Sequence, residues 1–443
     1  MSREVNRRQF IAATTSAGVG VALTGAALAA DKPAALGGKP VRTKGYQGWP
    51  MVTDALQKGV AEVVRSGGWY RGRVVDQFEE KFAAASGAKY CVAVSSGTSA
   101  LYTSLGALGV GPGDEVIVPP YTFVATVNVA MLHYAMPVFV DSDRETFQMD
   151  PAKLEAAITD RTAAIIPVHI GGSAADMDSI LAIAKKRNVP VIEDACQAVL
   201  GRWRNRGLGT WGASGCISFQ VSKNVCSGEG GAILTNDEVM ANSCCAFHNC
   251  CRRMSGVGPN VHYQFGRSTN VRMTEFQGAV LMAQLDGSAE QRAQTRHDNG
   301  VYLSSLLREI PGILPARMYE GCTRNAFHLY MFRYQPERFA NLPRNKFVHA
   351  LRAEGIPSAT GYGPLNKAGF IQEALNTRPY VKVYGKAAIE KWAERNECPE
   401  NDKLCGEAVW FMQNMLLGPR SDMDEIAEAI RKIQAHAPAL AKA

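Results

Sequence analysis

Short apolar segments alternate with helical patterns between about residues 89 and 237, and this alternation limits the folds open to the chain more than any other feature. The segments are, in order, KYCVAVS, EVIVPP, PVFVDS, TAAIIPVHI, VPVIEDA, GCISFQ and GAILTND. Strands separated by helices usually pair in parallel, because the helix carries the chain back to the same end of the sheet. The sequence therefore predicts an α/β fold, in which helices wrap a mainly parallel sheet.

The later part of the chain has a different pattern. Helical patterns at 273–285 and about 288–308 end at the Pro/Gly signal IPGILP. Beyond it, FHLYMFRY, a helical pattern at about 343–354 and the final DMDEIAEAIRKIQ indicate a smaller α+β domain. We therefore expect a large domain over residues 30–310 and a small C-terminal domain over residues 311–443, and 443 residues are enough for two cores.

Lys223 stands between an apolar strand and a glycine turn, in SFQVSKNVCSGEGGA. Glycines in such a turn allow a ligand or neighbouring main chain to approach closely, because they carry no Cβ. A partly desolvated lysine loses its proton easily, and its neutral amine can attack a carbonyl to form a Schiff base. The alternative is a solvated loop lysine.

Two further segments end in groups suited to a charged ligand. Asp194 lies at the carboxyl end of VPVIEDA, where ligands bind in open α/β sheets, although it could also be a cap or a turn residue. The turn Ser96-Gly97-Thr98-Ser99 opens a helical pattern, so that its N–H groups could bind a phosphate, although an N-cap explains it equally well. A lysine, a strand-end aspartate and a phosphate turn are the three anchors that pyridoxal phosphate (PLP) needs.

At this point the chain resembles the DegT/DnrJ/StrS-type aminotransferases, PLP enzymes of the aspartate-aminotransferase fold type I. The resemblance runs from about residue 37 to the C-terminal helix. Its motifs are GGWYRGRVVDQFEEKFA, SSGTSAL, VPPYTFVATVNV, IIPVHIGGSAADMDSI, VIEDACQA, SFQVSKNVCSGEGG and NVRMTEFQGAVLMAQL. So many motifs in one order exclude chance similarity.

The resemblance implies roles for the residues around the cofactor ring. Lys223 would hold PLP as an internal aldimine and then act as the catalytic base and acid. Asp194 would pair with the pyridinium nitrogen, and Gln197 would lie against the ring oxygen. Phe123 would stack on the pyridine ring, although the apolar spacing of TFVATVNVAML also allows a place in the core.

The resemblance also implies how the phosphate is bound. Gly97, Thr98 and Ser218 would bind it within one chain, and Asn270 would reach the phosphate of the neighbouring subunit. This predicts a homodimer with composite active sites. Gln197 and Ser218 could instead be structural polar groups, and Asn270 a turn residue. His169 fits a family motif but is as well explained structurally, so it is left out of the site.

The predicted function is transfer of an amino group from glutamate or glutamine to a keto sugar or cyclitol. One branch of the family has histidine at the lysine position and dehydrates its substrate, and Lys223 argues against that branch. Another PLP reaction on the same scaffold, or a non-catalytic PLP- or sugar-binding sensor, remains the alternative. Cys196 and the Asn224-Val225-Cys226 segment depart from common family residues and line the expected pocket.

The N-terminal segment resembles a twin-arginine export signal. Arg7 and Arg8 precede a weakly apolar Ala/Gly/Val stretch and the small-residue site Ala27-Leu28-Ala29. The alternatives are a membrane anchor and a disordered tail, but the stretch is too short and too rich in Gly and Thr to span a membrane comfortably. We expect cleavage after residue 29 and a periplasmic enzyme, with a cytoplasmic location as the alternative.

Charge and cysteine content add smaller constraints. The net charge of +7 is spread along the chain without a basic cluster alternating with aromatics, which argues against nucleic-acid binding. Cys398 and Cys405 are candidate disulfide partners in an oxidising compartment. The CCAFHNCC segment (244–251) contains ligand types that zinc prefers, but adjacent cysteines cannot all point inward, so no metal site is predicted.

Overall fold

A computed structural model describes residues 32–252 and 267–443, so the predicted signal peptide lies outside the described residues. The strands are β1 (Tyr90–Val94), β2 (Glu115–Val118), β3 (Met136–Phe139), β4 (Thr162–Ile165), β5 (Ile192–Asp194), β6 (Arg202–Trp203), β7 (Arg206–Gly207), β8 (Ser214–Ser218), β9 (Gly231–Thr235), β10 (Ile313–Pro315), β11 (Cys322–Arg324), β12 (Leu329–Tyr334) and β13 (Ala408–Met412). The helices are α1 (Asp54–Ser66), α2 (Arg73–Ser86), α3 (Gly97–Ala107), α4 (Ala125–Leu132), α5 (Pro151–Ala157), α6 (Met177–Arg187), α7 (Glu238–His248), α8 (Glu275–Asp286), α9 (Ala289–Arg308), α10 (Arg344–Ala353), α11 (Gly369–Leu375), α12 (Arg378–Tyr384), α13 (Lys386–Glu390), α14 (Trp392–Arg395), α15 (Pro399–Glu407), α16 (Arg420–Ala435) and α17 (Ala437–Lys442).

The large domain is built on the predicted mainly parallel sheet. Two groups of strands, β3-β2-β4 and β5-β8-β9-β1, are joined by parallel bridges from Ile165 to Val191 and from Val168 to Asp194. Only β9 runs against its neighbours β1 and β8. All residues of β8 and β9 are buried, as expected for central strands covered by helices on both faces. The predicted fold class is confirmed.

The order of these strands determines where polar side chains gather. Strands β1, β5 and β8 run in one direction, so that their carboxyl ends meet at one edge of the sheet. The chain leaves β1 toward the N-terminus of α3, β5 ends on Asp194, and β8 ends on Ser218. Ligands of open α/β sheets bind at this edge.

The C-terminal part forms a smaller unit around the antiparallel sheet β10-β12-β13. Helices α10, α16 and α17 pack on this sheet in a core of their own. Leu303 and Leu307 of α9 belong to the same core, so the last turns of that helix pack with the small domain just before the predicted boundary at residue 310. The N-terminal segment is attached here too, since the Glu354 carboxylate accepts hydrogen bonds from the backbone N–H groups of Ala34 and Val41.

A helical segment, α11 to α15, covers the edge strand β3. Asn396 Oδ1 accepts a hydrogen bond of 2.6 Å from the backbone N–H of Phe139, and Trp392 Nε1 donates one of 2.8 Å to the carbonyl of Pro137. Covering an edge strand in this way prevents it from pairing with another chain. None of the helices in residues 32–252 and 267–443 combines the length and apolar character that a bilayer span requires.

The same segment shows that the candidate disulfide between Cys398 and Cys405 is wrong. Both thiols are free and buried. Cys398 is the residue before α15 and Cys405 lies near its end. Seven residues of α-helix span about 10 Å, beyond the roughly 7 Å that a disulfide can bridge between Cα atoms.

Candidate active site

A cavity of about 620 Å³ opens at the carboxyl edge of the large sheet, and both domains contribute to its wall. Its volume is in the range of small-molecule and cofactor sites. Seven of the eight predicted site residues line it: Gly97, Thr98, Phe123, Asp194, Gln197, Ser218 and Lys223. The folded chain therefore brings together residues that are up to 126 positions apart in the sequence (223 − 97).

Lys223 is held by a tight loop between β8 and β9. Its backbone N–H donates to the carbonyl of Gln220 at 2.8 Å, and the Val221 N–H donates to Gly228 at 2.9 Å. Gly228 has φ +85°, a conformation that side chains disfavour, so glycine is required at this point of the loop. Burial lowers the pKa of Lys223, and its Nζ lies 3.5 Å from Nε2 of His328. A lowered pKa increases the fraction of nucleophilic amine at neutral pH.

Asp194 is fixed at the end of β5 with its carboxylate at the cavity. Its Oδ2 accepts a hydrogen bond of 2.8 Å from Thr126 Oγ1, and its Oδ1 accepts one of 3.2 Å from the backbone N–H of Cys196. Only 5% of the residue is exposed. Two donors that orient a buried carboxylate suit it to pair with a ring N–H placed in the cavity.

The N-terminus of α3 provides a site for an anion. Ser96 is the N-cap, and its side chain accepts from the Ser99 N–H at 3.0 Å. Within the described part of the chain, the N–H groups of Gly97 and Thr98 have no acceptor. A Cβ at position 97 would lie 2.7 Å from both Cys196 Sγ and Ser218 Cβ, so only glycine fits between them. Free N–H groups at the start of a helix are a standard phosphate site.

The structure gives three further predicted site residues different surroundings: Phe123, Gln197 and Asn270. Phe123 is 56% exposed and faces the cavity, which excludes the alternative that it is a core residue. Gln197 Oε1 accepts from the Gly171 N–H at 2.8 Å, and its Nε2 donates to the Tyr362 hydroxyl at 3.0 Å. Asn270 is exposed and lies outside the cavity of its own chain. Its proposed contact with a second subunit stays a prediction.

His169, for which the sequence left a structural and a functional role equally open, is fully buried. Its Nδ1 accepts a hydrogen bond from the Ala175 N–H at 3.1 Å, so its Nε2 carries the hydrogen and donates to Glu193 at 2.9 Å. In the CCAFHNCC segment, Nδ1 of His248 donates to the carbonyls of Cys244 and Cys245. Among the residues that the structure describes, no group of histidine, cysteine and acidic side chains could hold a metal ion.

The sequence did not reveal four residues of the cavity wall. Thr126 lies in a segment interpreted as apolar helix, and His328 is the second residue of FHLYMFRY, a segment interpreted only as a strand. Tyr362 and Trp410 come from the small domain, where their rings meet edge to face at 4.7 Å. The one available signal was the histidine at the start of an apolar strand. Thr126 is identified only by its contact with Asp194, and Tyr362 and Trp410 only by how the two domains pack.

The residues present fit the PLP that the family resemblance implies. The unpaired N–H groups of Gly97 and Thr98 suit its phosphate, and the oriented Asp194 carboxylate suits its ring nitrogen. The buried amine of Lys223 suits its aldehyde, and the exposed face of Phe123 suits its ring. These four features surround one cavity.

Comparisons with known proteins agree with this description. The model of the DegT/DnrJ/EryC1/StrS aminotransferase family matches residues 50–390. The L-glutamine:2-deoxy-scyllo-inosose aminotransferase of Streptomyces kanamyceticus is 35% identical over 420 residues, which are 91% of this chain and 97% of that protein. The L-glutamine:scyllo-inosose aminotransferase of Streptomyces griseus is 35% identical over 413 residues, covering 90% and 96%. The crystal structure of 3-amino-5-hydroxybenzoic acid synthase superposes with a TM-score of 0.78 and 31% identity, over 91% of this chain and 100% of that one.

Proposed function

The chain belongs to the DegT/DnrJ/EryC1/StrS aminotransferase family, with PLP as its cofactor, and on this premise we propose that it transfers the amino group of L-glutamine to a keto-cyclitol. Relatives that match it almost from end to end carry names of L-glutamine:scyllo-inosose and L-glutamine:2-deoxy-scyllo-inosose aminotransferases. The keto-cyclitol is one of the two acceptor classes expected from the sequence, the other being a keto sugar.

The residues of this chain have distinct tasks in the proposed reaction. When bound, PLP supplies an electron sink for the bonds at the carbon that carries the amino group. Nζ of Lys223 removes the proton from that carbon and returns a proton during transfer. Asp194 keeps a proton on the ring nitrogen, and the N–H groups of Gly97 and Thr98 bind the phosphate. A sensor without catalysis would have no use for a partly buried lysine whose pKa is lowered, so Lys223 favours catalysis.

The charge of the cavity wall is the observation that favours a cyclitol over a nucleotide-linked sugar. Among the residues that the structure describes, its charged side chains are Asp194, Lys223 and Glu229, and the other polar side chains around them are neutral, among them Gln220 and Tyr362. A diphosphate bridge needs arginine or lysine partners to offset its negative charges. A polyhydroxylated ring needs only neutral donors and acceptors, together with aromatic faces such as that of Trp410.

The test is a half-reaction screen with purified holoenzyme. L-glutamine should convert the cofactor to its aminated form, seen as loss of the visible absorption band, and scyllo-inosose should restore the band. Parallel samples would contain L-glutamate as the donor and a nucleotide-linked keto sugar as the acceptor. If the nucleotide-linked sugar restores the absorption band and scyllo-inosose does not, the proposed acceptor class is wrong.

We also infer that the active enzyme is a homodimer with composite sites. Asn270 is exposed beside the Asn249 bridge and lies outside the cavity of its own chain, which supports a role at the site of a second chain. Large apolar side chains are exposed on this molecule as well, including Trp69 (54%) and Tyr70 (75%). Co-expressing a Lys223→Ala chain with an Asn270→Ala chain should restore up to about a quarter of the sites, because half of the dimers are mixed and each has one intact site. Mixed dimers as inactive as the two parents would exclude shared sites.

The leader supports a further proposal, that the protein is exported. Arg7 and Arg8 precede an apolar stretch and a small-residue cleavage site. The twin-arginine route carries folded proteins, which suits an enzyme that binds its cofactor before export. A free cyclitol acceptor is also consistent with export, because the enzyme would then not depend on nucleotide-linked sugars, which are cytosolic.

A further inference from the structure

A hydrogen bond between Gln197 and Tyr362 joins the two domains at the wall of the cavity. Gln197 follows β5 of the large domain and is 4% exposed. Tyr362 belongs to the small domain, where its segment pairs with β13 through Ala359 and Trp410. Nε2 of Gln197 lies 3.0 Å from the hydroxyl oxygen of Tyr362, and both side chains line the cavity. Polar groups of both domains therefore lie side by side at the candidate site.

The backbone N–H of Gly171 fixes how the Gln197 amide is turned. It donates a hydrogen bond of 2.8 Å, which only the amide oxygen can accept, so Oε1 faces Gly171 and Nε2 faces Tyr362. An amide nitrogen carries two hydrogens and accepts none, so the Tyr362 oxygen is the acceptor in this contact. One hydrogen on Nε2 and the hydroxyl hydrogen of Tyr362 remain, and neither has an acceptor in residues 32–252 and 267–443.

Aromatic packing sets the position of the Tyr362 hydroxyl independently of Gln197. The Tyr362 ring meets the ring of Trp410 edge to face at 4.7 Å and that of Tyr121 at 5.6 Å. Gly361, the preceding residue, has φ +84°, and a Cβ there would lie 2.6 Å from the Tyr121 hydroxyl. Burial raises the pKa of Tyr362 to about 12, so its hydroxyl keeps the hydrogen at neutral pH.

Two adjacent donors that lack an acceptor suit an ionised oxygen. Hydrogen bonds to oxygen are about 2.7–3.0 Å long, so donor atoms 3.0 Å apart can share one acceptor. Hydrogen bonds to an ionised acceptor are also the strong ones. Apart from its phosphate, which the N–H groups of Gly97 and Thr98 suit, PLP carries one ionisable oxygen, the phenolic oxygen of its ring.

We propose that Tyr362 is a cofactor-binding residue, which shares the ring oxygen of PLP with Gln197. The family resemblance implies this contact for Gln197 alone, and the structure adds a donor from the other domain. Donors at the ring oxygen draw negative charge away from the ring and so support its use as an electron sink. The position of the small domain thereby becomes part of cofactor binding. The inference rests on PLP as the cofactor and not on the identity of the acceptor substrate.

Binding of cofactor analogues tests the inference without turnover. Cofactor-free protein would be titrated with pyridoxamine 5′-phosphate, which forms no bond to Lys223, and with its 3-deoxy analogue, which lacks the ring oxygen. Tyr362→Phe keeps the aromatic ring and removes the hydroxyl. It should weaken binding of pyridoxamine phosphate about tenfold or more, as expected for a hydrogen bond to a charged group, and leave binding of the analogue at the wild-type value. Equal weakening of both ligands, or of neither, would overturn the inference.

A control variant and the wild-type protein make this result decisive. Tyr330→Phe removes a buried hydroxyl of the same domain, which lies 2.9 Å from Ser304 Oγ, and it should leave both affinities unchanged. Wild-type protein should itself bind the analogue at least about tenfold more weakly than pyridoxamine phosphate. Equal affinities in the wild type would refute the ring-oxygen site without any variant. If Tyr362→Phe weakens L-glutamine and not pyridoxamine phosphate, the hydroxyl binds a substrate oxygen and the inference is wrong.

The visible absorption of the holoenzyme provides a second readout. A proton that binds to the cofactor chromophore competes with the two donors for the negative charge of the ring oxygen. Loss of the Tyr362 hydroxyl should therefore raise the pH at which the visible band changes by about one unit, whereas Tyr330→Phe should leave that pH unchanged. The same midpoint in Tyr362→Phe and in the wild type would contradict a contact with the ring oxygen.

Discussion

Lys223 combines two properties that rarely occur together in a surface loop, a rigid backbone and a side chain that is partly withdrawn from water. Its amine can therefore be neutral at a pH where other lysines are charged. Lys223→Ala should fold normally and lose about 10³-fold or more in turnover, because the proton transfer at Nζ is lost. Borohydride reduction of wild-type holoenzyme followed by peptide mapping should place the cofactor on Lys223. Recovery of the label on another lysine would contradict this assignment.

Asp194 depends on Thr126 for its orientation. Thr126→Val removes the 2.8 Å hydrogen bond to Oδ2 but keeps the shape of the side chain. Because a hydrogen bond to a charged group is worth about 1.5–3 kcal/mol, we expect kcat to fall by roughly tenfold or more. Thr126→Ser should restore most of the rate, since it keeps the hydroxyl. Asp194→Asn should retain PLP but lose far more activity than Thr126→Val, and equal losses in the two variants would show that charge is not what matters at this position.

Local sequence patterns were sufficient for the residues that lie at the ends of strands and helices. Asp194 ends an apolar strand, Lys223 lies in the turn that follows another, and Gly97 opens a helix. Parallel strands bring such ends together. His328 and Thr126 could not be found in this way, because their roles depend on which side chains they meet in the folded chain. The proposed Cys398–Cys405 disulfide failed for a related reason: the pattern did not show that one helix separates the two thiols.

Helix α3 owes its phosphate site to close packing at its first residue. Gly97→Ala would place a methyl group 2.7 Å from Cys196 Sγ and Ser218 Cβ, so that the helix start must move. We expect this overpacking to lower the free energy of unfolding by about 1–3 kcal/mol. PLP binding should be weakened more strongly than overall stability, because the displaced helix start is the phosphate site. Gly406→Ala is the control, because a Cβ there meets no atom within 4 Å. Unchanged PLP affinity in Gly97→Ala would argue against this helix start as the phosphate site.

The segment over β3 is attached through a buried carboxylate. Glu115 accepts hydrogen bonds from Arg395 at 2.7 Å, from Arg161 at 2.8 Å and from Thr159 at 2.6 Å. Burial raises the pKa of Glu115, but the contacts with Arg395, Thr159 and Arg161 outweigh it and lower the pKa below its ordinary value. Its contribution to stability is therefore present above the pKa of the unfolded chain and is lost as the pH falls through the folded value.

Glu115→Gln should accordingly destabilise the protein by about 2 kcal/mol at pH 7, less than for a fully enclosed pair because both arginines are partly exposed. The difference from wild type should begin to shrink below about pH 4 and disappear only below the lowered pKa of folded Glu115, where the wild-type carboxylate is protonated as well. Urea unfolding at the two pH values measures it, with Glu155→Gln at an exposed ion pair as the control. A difference independent of pH would mean that the carboxylate acts through shape and not through charge.

The elements themselves were largely predictable because most are continuous apolar runs bounded by Gly, Pro or Asn. Helices predicted at 273–285 and about 343–354 correspond to α8 (Glu275–Asp286) and α10 (Arg344–Ala353). The cover that α11 to α15 form over β3 was not predicted. Its short helices have weak periodicity, and their position is set by contacts such as that of Trp392 with Pro137.

At the scale of the whole molecule, the burial of the cysteines bears on the proposed export. Nine of its 11 cysteines are shielded from solvent wholly or in part, and only Cys250 and Cys251 are exposed. Burial raises the pKa of thiols such as Cys196 and Cys244, which keeps them unreactive. A chain with so many thiols would be at risk of wrong disulfides if it folded in an oxidising compartment. Transport in the folded state avoids that risk.

This leads to a prediction for the leader. Arg7→Lys/Arg8→Lys should leave the precursor in the cytoplasm, because the transporter's receptor reads the arginine pair. Arg3→Lys, a change to the remaining arginine of the leader, should not. Fractionation, with N-terminal sequencing of the exported form, should find a mature chain that begins near Ala30. That start lies a few residues before Ala34, whose N–H is bound by Glu354 of the small domain, so cleavage would leave the anchored segment intact. Wild-type protein recovered from the cytoplasm with its leader attached would contradict export, and the cytoplasmic alternative would then stand.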